Sequence, residues 1–431
     1  MNEFLKNNDL ESASLETVRE VQERLLRKHI AYAKKSSPYY KKKLVDFDPV
    51  TFSLADLEEL PLTDKQTISE FNTDFIAVKS SEVADIVFSS GTTGTPTEVV
   101  YTERDLARLG YNEARAFRAC GMSDLDTVLL TCTMDRCFVA GLAYFLGARA
   151  IGATSIRNGH GTLESHFDVI RRVNPTTVIG VPTFLRKLGF YLTQQGFNLR
   201  ASSVNKLICI GEPLRNAQME ALVVATDLEK IWGAKVFSTY ASSEIVTTFC
   251  ECTQQAGGHL HPALGLVEIL DESGKSVPDG ESGEVVVTPL QVEGVPLVRF
   301  CTGDISFINR EPCACGRTSP RLGPIIGRKN QLLKVRGTSL YPQAVFSALD
   351  EMGEISEYYL EVFAEEALSD RLVIHLSFTD HPVEIEELLR RLQARLRVKP
   401  EVIIEPESNI RKIIFTPKSR KPVRFIDKRM G

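Results

Sequence analysis

Apolar residues recur at helical spacing at the start of the chain, where Val18, Val21, Leu25, Leu26, Ile30 and Ala33 share one face of residues 15 to 35. This spacing predicts an amphipathic helix ending near Ser36-Ser37-Pro38. A second helix start is expected at Thr63-Asp64-Lys65. From about residue 80 to 300 the text alternates helical patterns with short apolar runs, among them Thr127 to Leu130, Thr177 to Gly180, Lys206 to Ile210 and Lys235 to Ser238. That alternation predicts an α/β domain with a largely parallel sheet, in which sites gather at the carboxyl ends of the strands. The style changes after Gly327-Arg328: residues 358 to 363, 371 to 378 and 402 to 404 read as strands, and Ile385, Leu388, Leu389, Leu392 and Leu396 form one helix face. The expected organisation is a large α/β domain over 1–327, with a mainly helical lead-in over 1–80, and a small α+β domain over 328–431. The polar join Gly327-Arg328-Lys329-Asn330-Gln331 suits a hinge, and equally a plain loop.

Composition changes this picture little. The chain has 431 residues, 43% hydrophobic and 25% charged, as in ordinary globular proteins. A net charge of -5 gives no overall footprint for nucleic acid or an anionic membrane, although Arg411, Lys412, Lys418, Arg420, Lys421, Arg424, Lys428 and Arg429 crowd the end of the chain. No stretch approaches the roughly 18 apolar residues that span a bilayer, and the first residues lack a basic segment followed by an apolar run. The expectation is a cytoplasmic protein, with a homodimer as the common default. Nine cysteines, an odd number, point to thiols or a metal site and away from a disulfide framework.

The most specific local signal is Phe88-Ser89-Ser90-Gly91-Thr92-Thr93-Gly94-Thr95-Pro96-Thr97. Glycines let the backbone turn its N–H groups toward a polyanion, and the hydroxyls of Ser and Thr add neutral donors. A Walker loop requires Gly-Lys-Ser/Thr followed by a helix, whereas Thr97-Glu98-Val99-Val100-Tyr101 reads as a second strand. Taken alone, such a run is more often a hairpin turn without a ligand.

Further stretches follow in order, and together with this loop they resemble the phenylacetate–coenzyme A ligase branch of the adenylate-forming superfamily. Gly211-Glu212-Pro213 is similar to the family segment on the adenine side of the nucleotide site. Tyr240-Ala241-Ser242-Ser243-Glu244 is similar to its aromatic-Gly-x-Ser/Thr-Glu motif, in which the ring packs near adenine, the hydroxyl (here Ser243) meets the α-phosphate and the carboxylate helps to hold Mg2+. Thr302-Gly303-Asp304 is similar to the motif whose carboxylate accepts the ribose hydroxyls, Arg328 falls at the hinge, and Lys421 stands where the family's adenylation lysine stands. The resemblance implies the superfamily's fold, with a small mobile carboxyl-terminal domain. It also implies a ligase that uses ATP, Mg2+ and coenzyme A to convert a carboxylic acid to an acyl-adenylate and then a thioester. Attack of a carboxylate on a phosphate brings two anions together, so the site must neutralise charge at the phosphoryl oxygens; Lys421 is the candidate for that work, or else one more solvated cation of the basic end.

Cys252, His259, Cys313 and Cys315 add a Cys-x6-His element and a Cys-x-Cys pair, a donor set suited to tetrahedral zinc, with Cys250 and His261 as substitutes. Several members of the branch carry Cys and His in matching places. The chain also departs from the family. Asn330 and Gln331 replace the hinge acids, Arg420 replaces a glycine before Lys421, and Arg136 lies in the segment that shapes the acid pocket. An arginine there suits a second carboxylate on the substrate, or simply a surface pair with Asp135. Transfer of the acyl group to an amine or carrier protein, transfer of AMP to another acceptor, and a non-catalytic nucleotide or acyl sensor all share the nucleotide motifs.

Overall fold

The computed structural model describes residues 10–89, 97–335, 338–365, 369–379, 383–415 and 422–429. The chain divides into two compact units, Met1–Ile325 and Ile326–Gly431.

In the first unit, α1 (Leu15–Ser36) starts at Ser14, whose hydroxyl accepts the N–H of Thr17, and buries Val18, Leu25, Leu26, Ile30 and Ala33. Pro38 then opens α2 (Pro38–Lys43). After β1 (Thr63–Asp64) come α3 (Lys65–Glu70), α4 (Asn72–Phe75) and the hairpin of β2 (Asp85–Ser89) with β3 (Thr97–Tyr101). The alternating region follows as α5 (Glu103–Ala119), β4 (Thr127–Leu130), α6 (Val139–Ile151), β5 (Thr154–Arg157), α7 (Leu163–Val173), β6 (Thr177–Gly180), α8 (Pro182–Gln194), β7 (Lys206–Ile210), α9 (Val223–Trp232) and β8 (Lys235–Ser242). These strands pair in the order β8-β7-β6-β4-β5, all parallel.

Near-continuous apolar runs make this sheet, because both of its faces are covered. Successive side chains alternate between faces: Val128, Leu130, Ile179, Ile208 and Phe237 pack with Phe117 of α5 and Tyr144 of α6, while Leu129, Val178, Leu207 and Val236 pack with Leu185 of α8 and Trp232 of α9. The α5 and α6 helices approach closely at Gly147, where a Cβ would lie 2.3 Å from Glu113 Cβ.

The parallel pattern stops sooner than the sequence pattern predicts. Beyond β8 the sheet continues antiparallel through β9 (Thr247–Glu251), β10 (Gly258–His259), β15 (Arg321–Leu322) and β14 (Ile308–Asn309). A second sheet runs β1-β13-β12-β11, built from β11 (Gly265–Leu270), β12 (Gly283–Pro289) and β13 (Phe300–Ser306) with β1 added in parallel. Among the described residues no α-helix lies between Trp232 and Pro342. β12 is buried at every position, so its apolar run reads like a parallel strand although its partners are antiparallel.

The second unit opens with β16 (Gly327–Arg328) and the hairpin of β17 (Leu333–Val335) with β18 (Thr338–Leu340). It continues as α10 (Pro342–Asp350), β19 (Ile355–Glu365), β20 (Ser369–Phe378), α11 (Ile385–Leu396), β21 (Glu401–Ile404), α12 (Glu407–Ile414) and β22 (Phe425–Asp427). Its sheet order is β21-β20-β19-β22. The α11 face buries Leu388, Leu392 and Leu396 but leaves Ile385, the first residue of the helix, exposed. No helix among the described residues is long and apolar enough to cross a membrane.

Candidate functional site

At the carboxyl end of β8 the chain carries Tyr240, Ser243 and Glu244, and β13 carries Asp304. The Tyr240 hydroxyl donates to Asp304 Oδ2 at 2.8 Å. Burial, reinforced by the Asp304 carboxylate, pushes the Tyr240 phenol well above its usual range, so it stays a neutral donor. Asp304 is shaped by its own turn: Gly303 has φ +76°, Asp304 N donates to Thr302 Oγ1 at 3.1 Å, and the Thr302 hydroxyl donates to Val285 O at 2.8 Å.

Glu244 is buried at 3% exposure, and its Oε1 has no hydrogen-bond partner. The charge nearest to it comes from an unforeseen residue, Lys65, whose Nζ lies 3.5 Å from that oxygen. Lys65 is held there by β1, which pairs Thr63 with Phe300 and Asp64 with Cys301, just before the Asp304 turn. Asp64 then caps α3 by accepting from Thr67 N at 2.7 Å. A lysine in the first turn of a helix is opposed by the helix dipole, and this is the one hint of another duty that its sequence position offers.

Gly211 has φ +73°, and the adjacent Glu212 carboxylate accepts from Thr183 N at 3.0 Å and Thr183 Oγ1 at 2.8 Å. Glu212 therefore caps α8, whose preceding residue Val181 provides no side-chain cap and whose Pro182 has no N–H. This carboxylate fixes the Gly211-Glu212-Pro213 segment against α8. Ser89 ends β2, buried opposite Thr97. Ser90, Gly91, Thr92, Thr93 and Gly94 lie outside the described residues, as does Lys421. Arg328 belongs to the second unit, in β16. Asp135 and Arg136 are both exposed, and Arg136 adopts φ +59°.

A second constellation forms in the antiparallel half of the large sheet. The donor atoms of Cys252, His259, Cys313 and Cys315 all lie within 4.8 Å of one another. Cys252 Sγ is 3.7 Å from Cys313 Sγ, and Cys315 Sγ is 3.6 Å from His259 Nε2. Zinc–sulfur bonds of about 2.3 Å give a tetrahedron with edges of about 3.8 Å, so the donors already have the separation a zinc ion requires. His259 Nδ1 lies 3.0 Å from Ser319 Oγ, which orients the ring, and burial pushes the imidazole down to about 4, its neutral, ligating form. The two substitutes are otherwise engaged. Cys250 Sγ lies 3.2 Å from Cys120 Sγ, while His261 Nδ1 accepts from Ala263 N and its Nε2 lies 3.3 Å from Tyr111 Oη.

The model of the family described as "AMP-binding enzyme" matches residues 10–292. The chain is 30% identical over 412 residues to a phenylacetate-coenzyme A ligase of Thermus thermophilus, covering 91% of each. It is 28% identical to proteins of that name from Pseudomonas putida, covering 89% of this chain and 87% of the relative, and from Escherichia coli, covering 83% and 82%. In fold it is similar to 2-hydroxyisobutyryl-CoA ligase in complex with 2-HIB-AMP, with TM-score 0.85 at 23% identity over 98% of this chain and 92% of that one. The anthranilate CoA ligase AuaEII gives TM-score 0.60 at 17% identity over 80% and 65%.

Proposed function

Because the chain belongs to the AMP-binding enzyme family, we propose that it is an ATP-dependent carboxylic acid–coenzyme A ligase. A substrate carboxylate oxygen attacks the α-phosphorus of ATP, the bond to the β-phosphate oxygen breaks, and pyrophosphate leaves. The thiol of coenzyme A, losing its proton, then attacks the acyl carbon of the adenylate and AMP departs. The observation that carries this reading is the 2.8 Å bond from Tyr240 to Asp304. It supports the reading because it joins an aromatic ring to the carboxylate that would accept the ribose hydroxyls, near the carboxyl end of β8, the end of the sheet at which α/β folds bind nucleotides.

Glu244 is the residue that would hold Mg2+, and its unpartnered buried Oε1 fits that role. Bound there, the metal neutralises phosphate charge. Lys65 is the countercharge of Glu244 in its absence and would turn toward the phosphates when the carboxylate is occupied. Ser243 and the 89–94 loop would donate to the phosphates, the segment 211–213 would flank the adenine, and Arg328 would act at the turn into the small unit. Cys252, His259, Cys313 and Cys315 would hold a structural zinc.

Carboxylate-dependent pyrophosphate release, measured over aromatic, aliphatic and dicarboxylic acids with and without coenzyme A, tests the reading. Acid-dependent release that turns over only with coenzyme A is the expected result; turnover with an amine or a carrier protein in its place would redirect the second step. Lys65→Ala is expected to slow adenylation about tenfold or more, as loss of one charged donor to a transferring phosphate does, yet to spare thioester formation from preformed acyl-adenylate. An equal loss in both half-reactions would assign Lys65 to folding.

A further inference from the structure

The turn Ser243-Glu244-Ile245-Val246 is held from outside at both ends. Tyr101, the last residue of β3 and 1% exposed, donates its hydroxyl to Ser243 O at 2.8 Å. Arg108 of α5 is fully buried and donates Nη1 to Val246 O. The same guanidinium reaches Leu264 O, Leu290 O at 2.8 Å and Thr247 Oγ1 at 3.2 Å. Its nearest countercharge, Asp105, is already occupied by the N–H groups of Thr102, Glu293 and Gly294. The arginine thus directs its donors at carbonyls of separate segments, an arrangement whose burial cost needs a return.

That return is visible in Val246. Its φ is +49°, a left-handed conformation that β-branched residues rarely adopt and that persists only when the surroundings over-determine it. Between the two clamped carbonyls stand Ile245, fully buried, and Glu244, whose Oε1 has no hydrogen bond of its own. Side chains inside the turn have little freedom, since the backbone is fixed before and after them.

We infer that Tyr101 and Arg108 are positioning residues for the metal-binding carboxylate: they hold the strained turn that presents Glu244 to the cation of the magnesium–nucleotide complex. The inference rests on the ligase reading, and it assigns the clamp to metal affinity and not to coenzyme A chemistry.

The test uses the full chain. Mn2+ binding is followed by electron paramagnetic resonance in the presence of a non-hydrolysable ATP analogue, beside the Mg2+ dependence of pyrophosphate release. Tyr101→Phe keeps the buried ring and removes one hydroxyl, and is expected to weaken Mn2+ binding about fivefold, the scale of one hydrogen bond. Thioester formation from preformed acyl-adenylate should not slow. Arg108→Lys is expected to weaken Mn2+ more, and Val246→Gly, which adopts the left-handed φ without strain, should restore part of that loss in the double variant. Wild-type Mn2+ affinity in both Tyr101→Phe and Arg108→Lys overturns the inference, as does an equal slowing of both half-reactions. Silence of the wild-type enzyme in pyrophosphate release would instead strike the ligase reading, and the Mn2+ titration still reports on the clamp.

Discussion

Lys421→Ala is expected to lower carboxylate-dependent pyrophosphate release by roughly 10²–10³-fold, the scale for removing one preorganised donor from a developing charge, while the enzyme still converts preformed acyl-adenylate to thioester. The asymmetry follows from the chemistry. In the first half-reaction a carboxylate approaches a polyphosphate, and charge accumulates on the α-phosphoryl oxygens. In the second a thiol attacks a neutral acyl carbon, and AMP is already a good leaving group. Lys421 lies outside the described residues, but the chain just beyond it is firmly built in. Val423 N donates to Ile414 O and Leu360 N to Arg424 O, both at 2.8 Å, and β22 then joins the sheet beside β19. The Arg424 guanidinium donates to Glu357 and to the Tyr358 hydroxyl at 3.1 Å each, and lies 4.5 Å from the centre of the Tyr358 ring. Single-turnover measurement of each half-reaction checks the expectation, and equal losses in both would remove Lys421 from the adenylation step.

The residues legible in the sequence are those whose chemistry is local. Tyr240, Glu244 and Asp304 are singled out by the resemblance of their short motifs to those of the family, each motif contained within a few consecutive residues. Lys65, Tyr101 and Arg108 are not legible in this way. Lys65 reaches Glu244 only because β1 pairs with β13, hundreds of residues downstream, and Tyr101 and Arg108 look like an ordinary strand residue and an ordinary helix residue until the turn they hold is seen. The role of Glu212 was hidden for the same reason, since the helix end it caps lies in another segment. The antiparallel half of the fold escaped because burial, and not strand direction, sets hydrophobic runs. Spacing also leaves the zinc ligands ambiguous. Cys250 and Cys252, like His259 and His261, are two residues apart, and it takes the packing of Cys250 against Cys120 and the contacts of His261 with Ala263 and Tyr111 to separate them.

Cys252→Ser is accordingly expected to take the protein from one zinc per chain to less than one, and to lower the melting temperature by about 5–10 °C. The donors are four and come wholly from the protein, so a zinc ion held by them would have no open position for substrate and would act as a staple, not a reagent. What it would staple is the loop between β14 and β15. Cys313 N donates to Arg317 O at 3.0 Å, Arg317 donates to Glu11 at 3.3 Å, and Thr318 N donates to Glu11 O at 2.8 Å, so the lead-in is fastened through the same loop. Losing one thiolate leaves charged and polar donors buried without their partner, a defect of about 3–5 kcal/mol. Cys250→Ser, outside the set, is expected to keep the zinc. Native mass spectrometry with thermal melting distinguishes the cases: a metal-free wild type, or zinc lost from Cys250→Ser and kept in Cys252→Ser, would sink the assignment. Pyrophosphate release per folded molecule should survive Cys252→Ser, because no zinc ligand belongs to the Tyr240–Glu244–Asp304 group.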